Sequence, residues 1–523
     1  MAATGLRTHP GEARVIEIET ERVLARQQHH FGVIDIGSNS IRLVVYDDLS
    51  RAPFPRFNEK SLVALGSGIG PDGRLSARAI EAAVAAVARF AAIARAMAVE
   101  TLHVLATEAT RRATNGAELV TAIRARTGLE VRILSGEEEA TYAATGVISG
   151  FYQPKGLTGD LGGGSLEIAE VIGDRVGERM VSMPLGALPV GAMMAEGIDS
   201  AKARIDALLE GSLPPLLANP VFYAIGGGWR ALARVHLAAN RLPISVVHGH
   251  SVDAGEIRAL AKKLSRMTPA EVALQPDMPG RRSETVPAAA LVLSRVLRRL
   301  RPERVVFSVC GLREGWLYAQ LDPAEQYLDP LLEGAQAIGL PAARVPGFSA
   351  ALARWTEGLF PGETQAERRL RLSACALTDL AWRDHEKVRA AESFRRLLQF
   401  PFIGISHAER VFLAVAVMAR YGGPVDDAVR AVARDYLGAG DLRRAEILGR
   451  ALLLGHRFSA SVPEILDQAS LRFDIGVVRL EIRGDAPIPD SDAVQMRLRQ
   501  LAKVCGVEQA DIVQLAPEPV AGS

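Results

Sequence analysis

The stretch Phe31-Gly-Val-Ile-Asp-Ile-Gly-Ser-Asn-Ser-Ile-Arg-Leu-Val-Val-Tyr46 decides the fold of the chain. Apolar residues run into Asp35. Gly37, Ser38, Asn39 and Ser40 are small enough for a tight turn, and Ile41, Leu43 and Val45 alternate with other side chains as the chain leaves in a second strand. A hairpin with such a polar, glycine-bearing tip turns several backbone N–H groups toward one point and makes an anion nest. An aspartate at its edge can hold a divalent cation, through water when the ion is Mg²⁺. The motif nearly repeats: Asp160-Leu-Gly-Gly-Gly-Ser-Leu166 matches Asp35-Ile-Gly-Ser-Asn-Ser-Ile41 position by position, and Glu167-Ile-Ala-Glu-Val171 continues the alternation. One such turn is as readily structural as functional. Two, each at a strand-turn-strand, predict two related domains facing each other across a phosphate-binding cleft.

The 523 residues allow two to four domains. A net charge of +1 argues against a broad nucleic-acid footprint. Cys310, Cys375 and Cys505 lie far apart without metal-ligand spacing and read as reduced thiols. The most apolar stretch, Ala82–Val99, is interrupted by Arg89 and Arg95, so no membrane span is expected. Residues 1–30 lack the apolar core of a signal peptide and are read as a mobile extension of a cytoplasmic protein.

Between the two hairpins the chain alternates helix and strand. Ser76 is a candidate N-cap for a helix to about Val99, and Thr101–Ala106 is a buried strand. Thr107–Asn115 ends that strand and opens a helix, with Arg111 near its start, where a helix N-terminus favours anions. Ser135-Gly-Glu-Glu-Glu-Ala140 is a capped helix start. Three acids in a first turn complement the helix dipole, but Glu139 also falls close before the second phosphate hairpin, where a carboxylate is awkward unless it handles a proton, water or metal. Phe222–Ala233 holds a strand, a triple-glycine turn and a helix, and Arg304–Trp316 a strand turning into a helix. This alternation from 31 to 320 predicts an α/β fold. Four prolines in 323–348 suggest a linker, helical periodicity dominates 349–466, and Val477–Ile482, Asp492–Val504 and Asp511–Leu515 form a mixed tail. The expected domains are 31–145, 146–320, 321–466 and 467–523.

Five motifs in order carry a resemblance to the exopolyphosphatase/guanosine pentaphosphate phosphohydrolase family of the actin-like and sugar-kinase superfamily. They are Val33-Ile-Asp-Ile-Gly-Ser-Asn-Ser40, Ala106-Thr-Glu-Ala-Thr-Arg-Arg-Ala-Thr-Asn115, Ser135-Gly-Glu-Glu-Glu-Ala140, Gly159-Asp-Leu-Gly-Gly-Gly-Ser-Leu-Glu167 and Gly311-Leu-Arg-Glu-Gly315. The resemblance implies two ribonuclease-H-like domains, then an HD-like all-α domain and a small α/β C-terminal domain. It makes Glu139 the catalytic carboxylate and assigns Asp160, Asp35 and Glu167 to Mg²⁺. It gives phosphate binding to Gly37, Ser38, Asn39, Ser40, Arg111, Gly162, Gly163, Gly164 and Ser165. The implied activity is Mg²⁺-dependent hydrolysis of the terminal phosphate of inorganic polyphosphate. The implied partners are polyphosphate, pppGpp or ppGpp and a second copy of the chain in a homodimer, with no nucleic acid and no membrane.

Two departures from the family pattern stand out. Trp229 follows Gly226-Gly-Gly228 where a smaller residue is usual, and is expected to narrow a base pocket. Thr378-Asp379 replaces a His-Asp pair, with His385 and His407 nearby, so the helical domain is expected to be structural and to wall a long substrate. Three other readings stay open: a pppGpp 5′-phosphohydrolase, a kinase or ATPase of the same superfamily, and a non-catalytic alarmone or polyphosphate binder.

Overall fold

The computed structural model describes residues 29–213, 220–483 and 491–515, apart from the side chain of Arg281. Of the extension assigned to residues 1–30, all but His29 and His30 lies outside the described residues. The chain packs as two units: one runs to Pro330 and includes Ile403–Ile405, and the other holds the remaining described residues from Leu331.

The first unit is the duplication. In its first lobe β1 (His30–Ile36) pairs antiparallel with β2 (Ser40–Tyr46), and β3 (Pro55–Leu62), β4 (Val99–Ala106) and β5 (Val131–Ile133) complete a sheet of order β3-β2-β1-β4-β5. The second lobe repeats the order with β8 (Arg175–Met183), β7 (Leu166–Ile172), β6 (Lys155–Leu161), β9 (Val221–Ile225) and β11 (Arg304–Phe307), adding β10 (Ser251–Asp253) at the edge. The central strands are apolar on both faces because helices cover them. Ile34, Ile36, Ile41 and Leu43 pack against Val87 and Phe90 of the helix Ala77–Ala96, whose N-cap Ser76 accepts the Ala79 amide at 3.2 Å. In the second lobe Leu161, Leu166 and Phe222 pack against the helix Val286–Leu300.

Each lobe ends in a helix, Gly136–Gly150 and Leu312–Ala319, and these two cross at backbone distance. A Cβ on Gly315 would stand 1.8 Å from the Tyr142 carbonyl oxygen, and one on Gly146 2.2 Å from that of Gly311. Only glycine permits this approach. Tyr142 and Trp316 then meet edge-on at 5.0 Å, and Tyr46 Oη donates to Glu314 at 2.8 Å. The boundary expected between residues 145 and 146 falls inside the helix Gly136–Gly150, which packs on β6, β7 and β8 of the second lobe and has no linker in it.

The expected linker at 323–348 is helical instead, over Pro323–Gln326 and Pro330–Ala342. Pro323 and Pro330 open these helices, where a missing N–H costs nothing. Trp229 also departs from expectation. It is 0% exposed, donates Nε1–H to the Ala289 carbonyl at 2.9 Å and meets Phe222 edge-on, so it fills the core of its lobe and narrows no pocket.

In the second unit, helices such as His407–Arg420 and Ala439–Ser459 precede a sheet of order β12 (Ala469–Asp474), β13 (Val477–Arg483), β14 (Gln509–Leu515). Asp379 is buried and accepts from Arg344 Nη2 at 2.8 Å and Arg420 Nη2 at 3.2 Å, while Thr378 Oγ1 meets His456 Nε2 at 2.9 Å. The histidine beside Thr378 is thus His456, whereas His385 is exposed and His407 packs near Tyr436. No helix of the described residues is long and apolar enough to cross a membrane.

Gly315→Ala is expected to destabilise the protein by about 1–3 kcal/mol, as overpacking does. Gly191→Ala, in a helix where a Cβ meets nothing within 4 Å, should be neutral or stabilising by up to about 1 kcal/mol. Urea unfolding of both variants checks the contrast.

Candidate active site

The site grows from the two hairpin tips. Gly37 N–H donates to Ser40 O at 3.1 Å and Gly162 N–H to Ser165 O at 3.0 Å, closing two equivalent four-residue loops. Each loop is braced by the same backbone device. Gly66 and Ala64 donate to the carbonyls of Ser38 and Asn39, at 2.7 and 3.0 Å. Leu188 and Gly186 donate to those of Gly163 and Gly164, at 2.9 and 3.2 Å. With their carbonyls tied back, the tips present amides and small side chains to a cavity of about 200 Å³ between the lobes. All the residues assigned to phosphate line it except Arg111.

The register of the hairpins sets the charges. Asp35 faces Arg42 across β1 and β2, and Asp160 faces Glu167 across β6 and β7. Asp35 accepts from Arg313 Nη1 at 3.0 Å, and its side chain is 21% exposed. Burial raises the Asp35 carboxyl above its ordinary value against the pull of Arg313 and Arg42. Burial also pushes Asp160 up to about 6, opposed by Arg230. Glu167 accepts from Ser182 Oγ at 2.8 Å.

Glu139 is buried in the first turn of the helix that opens at Ser135, where Ser135 and Glu138 form a capping box. Its carboxylate pairs with Arg111, which also donates to the Leu134 carbonyl. Arg111, assigned by resemblance to phosphate, is therefore committed to Glu139 in this structure. Glu139 and Glu167 are both raised, by burial first. The charges of Asp35 and Asp160 add to it for Glu139, and the charge of Glu139 adds to it for Glu167.

Among the described residues Asp35, Asp160 and Glu167 are not gathered into one three-donor metal cluster. Arg313 takes up Asp35, and Glu167 is turned to Ser182. Four arginines to which no motif assigns a role also line the cavity: Arg42, Arg230, Arg282 and Arg313. Burial lowers Arg42, Arg230 and Arg282, and each feels a neighbouring guanidinium as well. Cations held this close favour a polyanion between them. Arg42 was legible, since it shares a hairpin face with Asp35.

Comparison with known proteins fits this geometry. Residues 43–324 match the model of the Ppx/GppA phosphatase family, and residues 331–513 match the model described as exopolyphosphatase, C-terminal. Exopolyphosphatase 1 of Mycobacterium tuberculosis (strain H37Rv) is 30% identical over 307 residues, covering 56% of this chain and 88% of that protein. A guanosine-5′-triphosphate,3′-diphosphate pyrophosphatase of Aeromonas salmonicida is 24% identical over 314 residues, covering 56% and 59%. Among solved structures, an exopolyphosphatase from Cytophaga hutchinsonii shares the fold with a TM-score of 0.50 at 23% identity, covering 56% of this chain and 97% of that one. The duplicated hairpins, their bracing and the acid-lined cleft are those of a chain that belongs to the Ppx/GppA phosphatase family.

Proposed function

We propose that the chain is an exopolyphosphatase, releasing orthophosphate from the end of inorganic polyphosphate. The observation that carries this reading is the lining of the cleft. Two amide-rich tips, four arginines and a buried glutamate surround it, and no aromatic ring lines it among the described residues. Such a surface offers charge and N–H groups to phosphates and no stacking platform to a base.

Mg²⁺ suits the donors present. Asp160 faces Glu167 across adjacent strands and Asp35 lies within its electrostatic reach, a concentration of negative charge that a cation relieves. Mg²⁺ is commonly held by one or two carboxylates with waters and substrate oxygens. Asp35 and Asp160 would hold it here, and bound Mg²⁺ would neutralise charge on the phosphoryl oxygens.

The chain's own residues do the rest. The tip amides cradle the terminal phosphate and hold it in line. Arg42, Arg230 and Arg282 offset the charge of the phosphates behind it. Glu139, oriented by Arg111, accepts a proton from water as the water oxygen bonds to phosphorus. The P–O–P bond breaks, and the shortened chain leaves with the bridging oxygen. A raised carboxyl is a better base near neutral pH than an ordinary one.

A second reading, pppGpp 5′-phosphohydrolase, is favoured by one observation: Trp229 is buried in the core and obstructs nothing in the cleft. The helical unit, read as HD-like, has Arg344 and Arg420 on Asp379 and is read as structural.

Phosphate release with Mg²⁺ from long-chain polyphosphate and from pppGpp, side by side, tests the assignment. Faster release from polyphosphate supports the first reading, faster release from pppGpp the second, and EDTA should silence either. Glu139→Gln should lower kcat by about 10²–10⁴-fold with binding retained. Because the base works unprotonated and its carboxyl is raised, activity should fall on acidification with an inflection well above the ordinary 4.5. Rate profiles against pH that stay flat down to that value would remove Glu139 from the role.

A further inference from the structure

Glu108 has no part in the mechanism above, yet its carboxylate sits between the two phosphate-binding tips. It accepts from Ser38 Oγ of the first tip at 2.8 Å and pairs with Arg112 at 2.7 Å. Its side chain is 14% exposed, whereas that of Arg112 is 51% exposed. On its other side it lies against the second tip. A Cβ on Gly164 would stand 2.0 Å from Glu108 Oε2, so the bare glycine lets the carboxylate lie directly against the tip.

The lobes touch on this side of the cleft. A Cβ on Gly163 would stand 3.1 Å from the Ser38 Cβ, and one on Gly66 3.3 Å from a methyl of Leu188. The wall here is therefore closed, and Glu108 forms part of the cavity lining. Elsewhere that lining carries Arg42, Arg230, Arg282 and Arg313. A fixed anion between two anion nests has the wrong sign for holding phosphate. Its hydroxyl and guanidinium partners nonetheless keep it there.

We propose that Glu108 is a charge stop at the closed side of the cleft: its carboxylate limits how tightly the two tips retain a phosphate, so that orthophosphate leaves and the next chain end enters. The assignment deepens the exopolyphosphatase reading and rests on it for its biological meaning. Its physical content, a deliberately weakened orthophosphate site, does not require turnover. Tips and arginines strong enough to grip a chain end would otherwise grip the product as well, and release would limit kcat. Repulsion between like charges a few ångströms apart in a partly desolvated cleft is enough to change an anion's affinity severalfold.

The test is calorimetric titration of the full-length protein with inorganic phosphate in the presence of Mg²⁺. Glu108→Gln should bind orthophosphate about tenfold more tightly than the parent, and in turnover should show lower KM, lower kcat and stronger product inhibition. Arg112→Gln, at an exposed position, should do the opposite and weaken orthophosphate binding about threefold, because the carboxylate loses its counter-ion. A purely structural role for Glu108 would give no gain in affinity. Unchanged or weaker orthophosphate binding by Glu108→Gln with an unaltered Tm overturns the proposal. If Glu108→Gln fails to fold, unchanged or tighter binding by Arg112→Gln overturns it instead. Undetectable binding in parent and variants also overturns it. The expected order of affinities in a protein that hydrolyses no polyphosphate would sink the enzyme reading and leave the charge stop standing.

Discussion

Everything in the first unit depends on the backbone contact between Gly146, Gly315 and their neighbours. Two helices that meet backbone to backbone at these glycines bring two sheets close enough for their hairpin tips to face each other. With Cβ atoms in the crossing, the helices would separate and the tips with them, because the tips are rigidly braced to their own lobes. The shape of the cleft is therefore decided by residues that take no part in lining most of it. Packing there tolerates little change, since interiors are close-packed and transmit strain.

Within that frame the site is an electrostatic compromise. Asp35, Glu139, Asp160 and Glu167 are carboxylates kept out of bulk water, and burial raises all four. Arg42, Arg230 and Arg282 are guanidiniums pressed together in the same cavity, and burial lowers all three. Neither set is comfortable alone. A ligand that carries negative charge to the arginines, accompanied by a cation for the carboxylates, relieves both at once. Perturbed groups gathered in a cleft mark a functional site for this reason.

What the sequence disclosed, it disclosed through local chemistry. The two tips were readable because a tight turn needs small residues at fixed offsets. The helix starts at Ser76 and Ser135 were readable because caps are side-chain features of one turn. What escaped was decided by tertiary packing. Trp229 follows a glycine turn, and nothing local says that its ring faces Phe222 and away from the cleft. Pro323 and Pro330 look like linker residues until their place at helix starts is known. Arg230 and Arg282 come from a helix start and from the segment before another helix, and no spacing rule brings them together. Arg313 stood inside a recognised motif but carried no sign that it would pair with Asp35 across the chain.

Glu138 returns to the Ser135 amide at 2.8 Å, and Glu314 returns to the Gly311 amide at 2.9 Å, so the starts of the two crossing helices correspond residue for residue. Along this internal pseudo-dyad the counterpart of Glu139 is Gly315. One half of the duplicated scaffold contributes a carboxylate, and the other contributes the bare backbone that lets the halves approach. The cleft is thus handed although its frame is nearly symmetric. A chain end entering in the reverse sense would find equivalent amides waiting for its phosphate, but glycine where the carboxylate should be.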